Sequence, residues 1–245
     1  MARRTWRAEG IDTSCCAEAA DVGTGAAAVI VHADHGENAI VVDPGSGLLL
    51  TVEDVERAAQ RIAGSAVFVT QLEIALPVVA RGLAIARKGG AITILNPAPA
   101  RALPADVYPL CDYLTPNESE AAGLAGVGVR NARDAAQAAE ALLRRGAGSV
   151  VVTMGARGAL VKTGDVTEHV PAVHAGPAVE TTGAGDAFNG ALAVALGEGL
   201  DVLAATRFAC AAAGISVTRP GTSASMPTRA EVEALLKEAP AHRAP

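Results

Sequence analysis

From Thr51 onward the sequence alternates helix-period and strand-period segments, and this alternation restricts the fold more than any other feature. Residues 149–153 (SVVVT) form a continuous β-branched run, the pattern of a strand buried on both faces of a parallel sheet. Residues 66–70 and 91–95 are short apolar runs of the same kind, the second ended by Asn96-Pro97-Ala98-Pro99. Before them the spacing predicts a helix over 51–63, opened by a capping-box-like Thr51-Val52-Glu53-Asp54. A second helix, over 76–88, is stopped by Gly89-Gly90. Tyr113-Leu114-Thr115 leads into Pro116, and helices follow over 118–124, 132–144, 184–197, 202–218 and 228–237. Residues 159–162 and 168–170 read as a short antiparallel pair. The alternation implies an α/β fold with a mostly parallel sheet, helices on both faces, and ligands at the carboxyl ends of the strands. Only the beginning breaks the rhythm: runs at 26–32 and 38–43 flank the turn Asp34-His35-Gly36-Glu37 and predict a hairpin. No internal repeat or linker is visible, so a single domain is expected.

Composition narrows the class. The 245 residues are 50% hydrophobic but only 2% aromatic, so Ala, Val, Leu and Ile must build the core. A net charge of -6 argues against a nucleic-acid surface, which needs a basic stripe, and the apolar content argues against disorder. The longest apolar stretches, at 191–196 and 209–217, fall well short of the ~20 residues of a membrane span. Arg3, Arg4 and Arg7 have no apolar run behind them, so no signal peptide is read. Cys15 and Cys16 are adjacent, and Cys111 and Cys210 stand alone. Without a CxxC pair or zinc spacing, reduced thiols in a cytoplasmic protein are expected. His32 and His35 lack any HExxH context and read as exposed hairpin residues.

Three segments carry chemistry. In Thr181-Thr182-Gly183-Ala184-Gly185-Asp186-Ala187-Phe188-Asn189-Gly190, two glycines precede a helix, so free N–H groups and the positive end of the helix dipole converge on one point. Asp186, in that first turn, could accept a proton from an attacking hydroxyl; as a plain helix cap it would need no such role. Thr153-Met154-Gly155-Ala156-Arg157-Gly158 puts backbone N–H groups and an Arg at the sheet edge, which suits a polyphosphate, although turn-forming glycines also punctuate strands. Asn117 and Glu120, three apart at a helix start, share a face and could hold a hydrated Mg²⁺ or simply cap the helix.

Taken together, Thr181 to Asp186, Asn117-x-x-Glu120 and Thr153 to Gly158 resemble the ribokinase (PfkB) family of carbohydrate kinases. Gln71-Leu72-Glu73, Asn96 to Arg101 and Thr115 to Glu118 add to that likeness, which runs nearly collinearly over residues 10–236. The resemblance implies a three-layer α/β/α fold, with residues 1–50 as a partial β lid hairpin and N-terminal remnant and 51–245 as the nucleotide-binding core. It implies ATP-dependent phosphorylation of D-ribose to D-ribose 5-phosphate, with Asp186 as base and Gly183, Ala184 and Gly185 as anion hole. Asn117, Thr153, Met154, Gly155, Ala156, Arg157, Gly158 and Cys210 would lie around ATP, Glu120 would organise Mg²⁺, and Glu73 would contact the sugar. A K⁺ site would involve Glu180, Thr182, Ser216, Arg219, Gly221 and Ser225. A homodimer joined through lid hairpins is also implied.

Two departures qualify that likeness. Glu180 stands where the family usually has Asp. Neither the family's Asn-x-Asp sugar contact nor its Gly-Gly-Lys-Gly-Ala-Asn segment occurs in these residues. Positioning acceptor and donor in line can contribute about 7–11 kcal/mol, against about 3–4 kcal/mol for one oxyanion-hole donor. A weak kinase is therefore expected, and the alternatives are a kinase for another sugar or nucleoside, or a catalytically impaired nucleotide-binding chain.

Overall fold

The computed structural model describes residues 2–31 and 38–238. A short helix α1 (Ala2–Ala8) precedes an antiparallel ribbon of β1 (Thr24–Val31) and β2 (Asn38–Gly45), and then α2 (Val52–Arg57) and α3 (Ala59–Ala63). The βα rhythm follows as β3 (Val67–Thr70), α4 (Leu76–Gly89), β4 (Ile92–Leu95), β5 (Tyr113–Leu114), α5 (Glu118–Ala125) and α6 (Ala132–Arg144). It ends with β6 (Ser149–Thr153), β7 (Ala159–Lys162), β8 (Thr167–Val170), α7 (Ala184–Gly197), α8 (Val202–Ser216) and α9 (Arg229–Glu238). His32 and His35, with their expected turn, lie outside the described residues.

The main sheet runs β3-β4-β5-β6-β7-β8, parallel through β6 and antiparallel thereafter. Period-two alternation decides which helix layer each strand residue meets. Leu95, Leu114, Val150 and Val152 pack on one face with Val79 and Leu83 of α4, Ala121 of α5, and Ala138 and Leu142 of α6. Ile94, Val151 and Val161 pack on the other face with Phe188 and Leu192 of α7, Ala209 of α8, and Val232 of α9. Small residues make this second interface close: a Cβ at Gly214 of α8 would overlap the Val173 carbonyl oxygen. The result is the expected three-layer arrangement.

Local chemistry sets the helix ends. Thr51 and Asp54 form a reciprocal capping box, and Gly90, at φ 85°, closes α4 in the left-handed region. One expected helix is divided. Residues 51–63 form α2 and α3, parted at Ala58 (φ -91°, ψ 1°), where one amide is shared among the carbonyls of Asp54, Val55 and Glu56 and the ladder tightens before it resumes. Among the described residues no helix is long and apolar enough to cross a membrane.

Candidate active site

Four parallel strands end at one edge of the sheet, and the residues just beyond them line a polar cavity of about 210 Å³. Gln71 and Glu73 follow β3, Asn96 and Ala98 follow β4, Asn117 and Glu120 follow β5, and Thr153 ends β6; Gly185, Asp186 and Asn189 of α7 close the wall. Asn117 and Glu120 cap α5 reciprocally. Asn117 N donates to Glu120 Oε2 at 2.8 Å, Glu120 N donates to Asn117 Oδ1 at 2.9 Å, and Asn117 Nδ2 donates to Glu120 Oε1 at 2.9 Å. Capping and cation binding are thus compatible, because each carboxylate oxygen keeps a further acceptor site. Glu120 is 6% exposed, and burial pushes its carboxyl above the ordinary range although the Asn117 amide pulls the other way.

An apolar cavity of about 310 Å³ lies beside the first. Thr153, Gly155, Ala156 and Gly158 form one side, and Phe188, Cys210, Ala213, Gly214 and Val217 the other. Burial pushes the Cys210 thiol up to about 12, so this wall stays uncharged. Thr153 and Gly185 line both cavities, and the α7 N-terminus stands at their junction. Gly183, at φ 81°, makes the left-handed turn that opens the helix, against Thr222. A Cβ at Gly185 would meet nothing within 4 Å, so open space adjoins this first turn, while the Ala184 amide donates to the Thr181 carbonyl at 3.2 Å.

Among the described residues neither cavity is lined by Lys or Arg, whereas Glu73, Glu120 and Asp186 converge on the polar one. Triphosphate would be repelled there without a hard cation, and these oxygens suit Mg²⁺. Among the described residues no three acidic, His or Cys side chains form a direct metal cluster. Mg²⁺ would therefore keep waters and phosphate oxygens as ligands, which is its usual habit.

Three of the residues expected around ATP do not line the apolar cavity. The Met154 side chain, 2% exposed, is buried in the core because β6 carries its alternation into that position. The Arg157 side chain pairs with Glu118 of α5 and donates to the Arg130 carbonyl at 2.8 Å, so its charge supports the loop and lines neither cavity. Asn117 lines the polar cavity, not the apolar one, because its amide is held by Glu120.

The residues expected around a monovalent cation gather in part. Val179 N and Glu180 N donate to the Val217 carbonyl at 2.7 and 3.1 Å, and Gly221 N donates to Glu180 Oε2 at 2.8 Å. Ser216 Oγ and Ser225 Oγ donate to the carbonyls of Ala213 and Thr222, which leaves lone pairs free. Arg219 pairs with Glu231 of α9, so it anchors the loop. Among the described residues no hydrogen bond ties Thr182 to this group.

The sequence assigns no individual role to Asn96, Thr115, Asn189 or His174. The polar residues ending β4 and β5 were the available signal for the first two; Asn189, inside the glycine-rich segment, and His174, in a loop, stood out by nothing but their neighbours.

Comparison with known proteins agrees with this geometry. The chain is 37% identical over 223 residues to a ribokinase of Staphylococcus aureus, covering 91% of this chain and 73% of that one. It is 37% identical over 220 residues to a deoxyribokinase of Salmonella typhimurium, covering 89% and 71%. The structure of Arabidopsis thaliana ribokinase complexed with ribose and ATP superposes with a TM-score of 0.82 at 28% identity, covering 96% of this chain and 78% of that one. The sequence pattern of pfkB family carbohydrate kinases matches residues 1–229, and with these relatives it settles the assignment: the chain belongs to the pfkB family of carbohydrate kinases.

Proposed function

We propose that this sugar kinase transfers the terminal phosphoryl group of ATP to D-ribose, giving D-ribose 5-phosphate. The observation that carries the reading is the shared wall at Gly185, where an apolar cavity of nucleobase size meets a carboxylate-lined one. Mg²⁺-bound ATP supplies the phosphoryl group and offsets the charge of the acidic cavity. Asp186 takes the proton of the attacking hydroxyl, and Glu73 holds the sugar. The amides of Gly183, Ala184 and Gly185, at the positive end of α7, stabilise charge on the phosphoryl oxygens. Glu120, fixed by Asn117, orients the hydrated cation. Thr153 and the 155–158 turn border the nucleotide, with Cys210 against the base. K⁺ beside Glu180, Thr182, Ser216, Arg219, Gly221 and Ser225 adds positive charge behind the anion hole. The free thiols of Cys111 and Cys210 fit a reducing cytoplasm. The exposed Val41 and Val42 on β2, at 63% and 59%, support a homodimer joined through the ribbon.

The test is phosphorylation of D-ribose by ATP with Mg²⁺ and K⁺, with 2-deoxyribose and inosine as rival acceptors and the Staphylococcus aureus relative as control. Ribose 5-phosphate as the preferred product supports the reading. Preference for 2-deoxyribose favours the alternative that the Salmonella typhimurium relative suggests. Nucleotide binding without turnover would reduce the chain to a binding role.

A further inference from the structure

Along the polar cavity runs a partly buried hydrogen-bonded chain that the proposed chemistry does not use. Asn96 Nδ2 donates to the Thr115 carbonyl at 2.7 Å. The Thr115 hydroxyl donates to Asn189 Oδ1 at 2.6 Å across 74 positions of sequence. Asn189 Nδ2 donates to the Gly185 carbonyl at 2.9 Å. Thr115 is 1% exposed and Asn189 7%. The polarity is forced, because a carbonyl can only accept: the amide nitrogen of Asn189 must face Gly185, its oxygen must then face Thr115, and the hydroxyl must donate. Residue 189 therefore has to be donor and acceptor at once. A carboxylate would lack the donor, and an apolar side chain would leave the Thr115 hydroxyl only its longer contact to the Leu95 carbonyl, at 3.4 Å.

The link joins the polar edge of the sheet to the first turn of α7. Elsewhere α7 is held by Phe188, Leu192, Ala195 and Leu196, whose apolar packing is non-directional and leaves small rotations of the helix cheap. Hydrogen bonds have direction, and the Thr115–Asn189–Gly185 chain sets the rotation of the turn that carries Gly185 and Asp186. We propose that Asn189 is a positioning residue for phosphoryl transfer, holding the anion hole and the base in register with the ends of β4 and β5. This rests on the kinase reading above.

Thr115→Val, nearly isosteric, removes the hydroxyl donor, and Thr115→Ser keeps it. We expect Thr115→Val and Asn189→Ala each to lower kcat per folded molecule about 10- to 100-fold, the scale of a small misplacement of reacting groups. KM for ATP should stay near wild type, Thr115→Ser should restore kcat, and the double variant should lose little more than either single one. Unchanged kcat in Thr115→Val, no rescue by serine, or a loss explained by KM or by the folded fraction would overturn the proposal. Hydrogen exchange gives a readout independent of turnover. The Ala187 and Phe188 amides should exchange faster in Thr115→Val than in wild type or Thr115→Ser, with α6 unaffected; equal exchange overturns the proposal even if kcat falls. Absence of turnover in the wild type would instead sink the kinase reading, and the exchange comparison would still decide whether the chain fixes the turn.

Discussion

The backbone amide of Gly221 donates to the Glu180 carboxylate at 2.8 Å, joining the segment before α7 to the loop after α8. The acceptor is charged, which makes this bond stronger than a neutral one, worth about 1.5–3 kcal/mol. The same loop packs at Thr222 against Gly183, so Glu180 braces the back of the anion turn.

Cation dependence follows. Initial rates at fixed ionic strength should be higher in K⁺ than in Na⁺ or Cs⁺, and Glu180→Gln should flatten that difference while keeping an acceptor for Gly221. Equal rates in the three salts would remove the monovalent site. Glu180→Ala should also lower Tm, by about 2–4 °C for each kcal/mol lost in a chain of this size.

Asp186 lines the polar cavity beside Gly185, where the two cavities meet. If it is the base, Asp186→Asn should cut sugar phosphorylation by about 10²–10⁴-fold, the span of general base catalysis. Titration calorimetry should find nucleotide affinity unchanged. Retained turnover would take the proton-acceptor role away from Asp186.

Glu120 has its carboxyl raised by burial, so its protonation begins above the ordinary value of 4.5. Protonation removes the charge that orients the cation and weakens the acceptor for the Asn117 amide. The acid side of the rate profile should therefore fall off above pH 4.5, and Glu120→Gln should have a low rate without that limb. A wild-type profile flat down to that pH would contradict the role.

Glu231 bears on stability. The Arg219 guanidinium, helped by the Thr228 amide and hydroxyl, holds its carboxyl down at about 2 from 4.5. Because the folded state binds this proton less readily than the unfolded chain, the contribution is fully present above pH 4.5 and is lost as pH falls toward 2. Tm of the wild type should drop through that window more steeply than Tm of Glu231→Gln, and parallel curves would show that the pair is screened out.

Much of the site could be read along the chain because its chemistry is local. A glycine turn followed by a helix makes an anion site from consecutive residues, and Asn117 and Glu120 cap their helix from within one turn. Arg157 could not be read this way. Its position in the turn suggested a phosphate contact, yet its partner Glu118 lies 39 positions away and only the packing of α5 beside β6 brings the two together. Met154 likewise looked like part of a loop until the strand's alternation carried it into the core.

Sequence alone determined the order of strands and helices from β3 onward, the helix caps and the glycine turn before α7, but neither α1 nor the division of α2 from α3, since periodicity, capping and backbone freedom are properties of neighbouring residues. Tertiary structure alone decided that Gly185 stands where two cavities meet, that Arg157 pairs with Glu118, and that Thr115 meets Asn189 across the sheet edge. Those contacts join residues far apart in the chain, and they exist only once the two apolar helix layers have closed on the sheet and brought its polar edge groups within hydrogen-bonding distance.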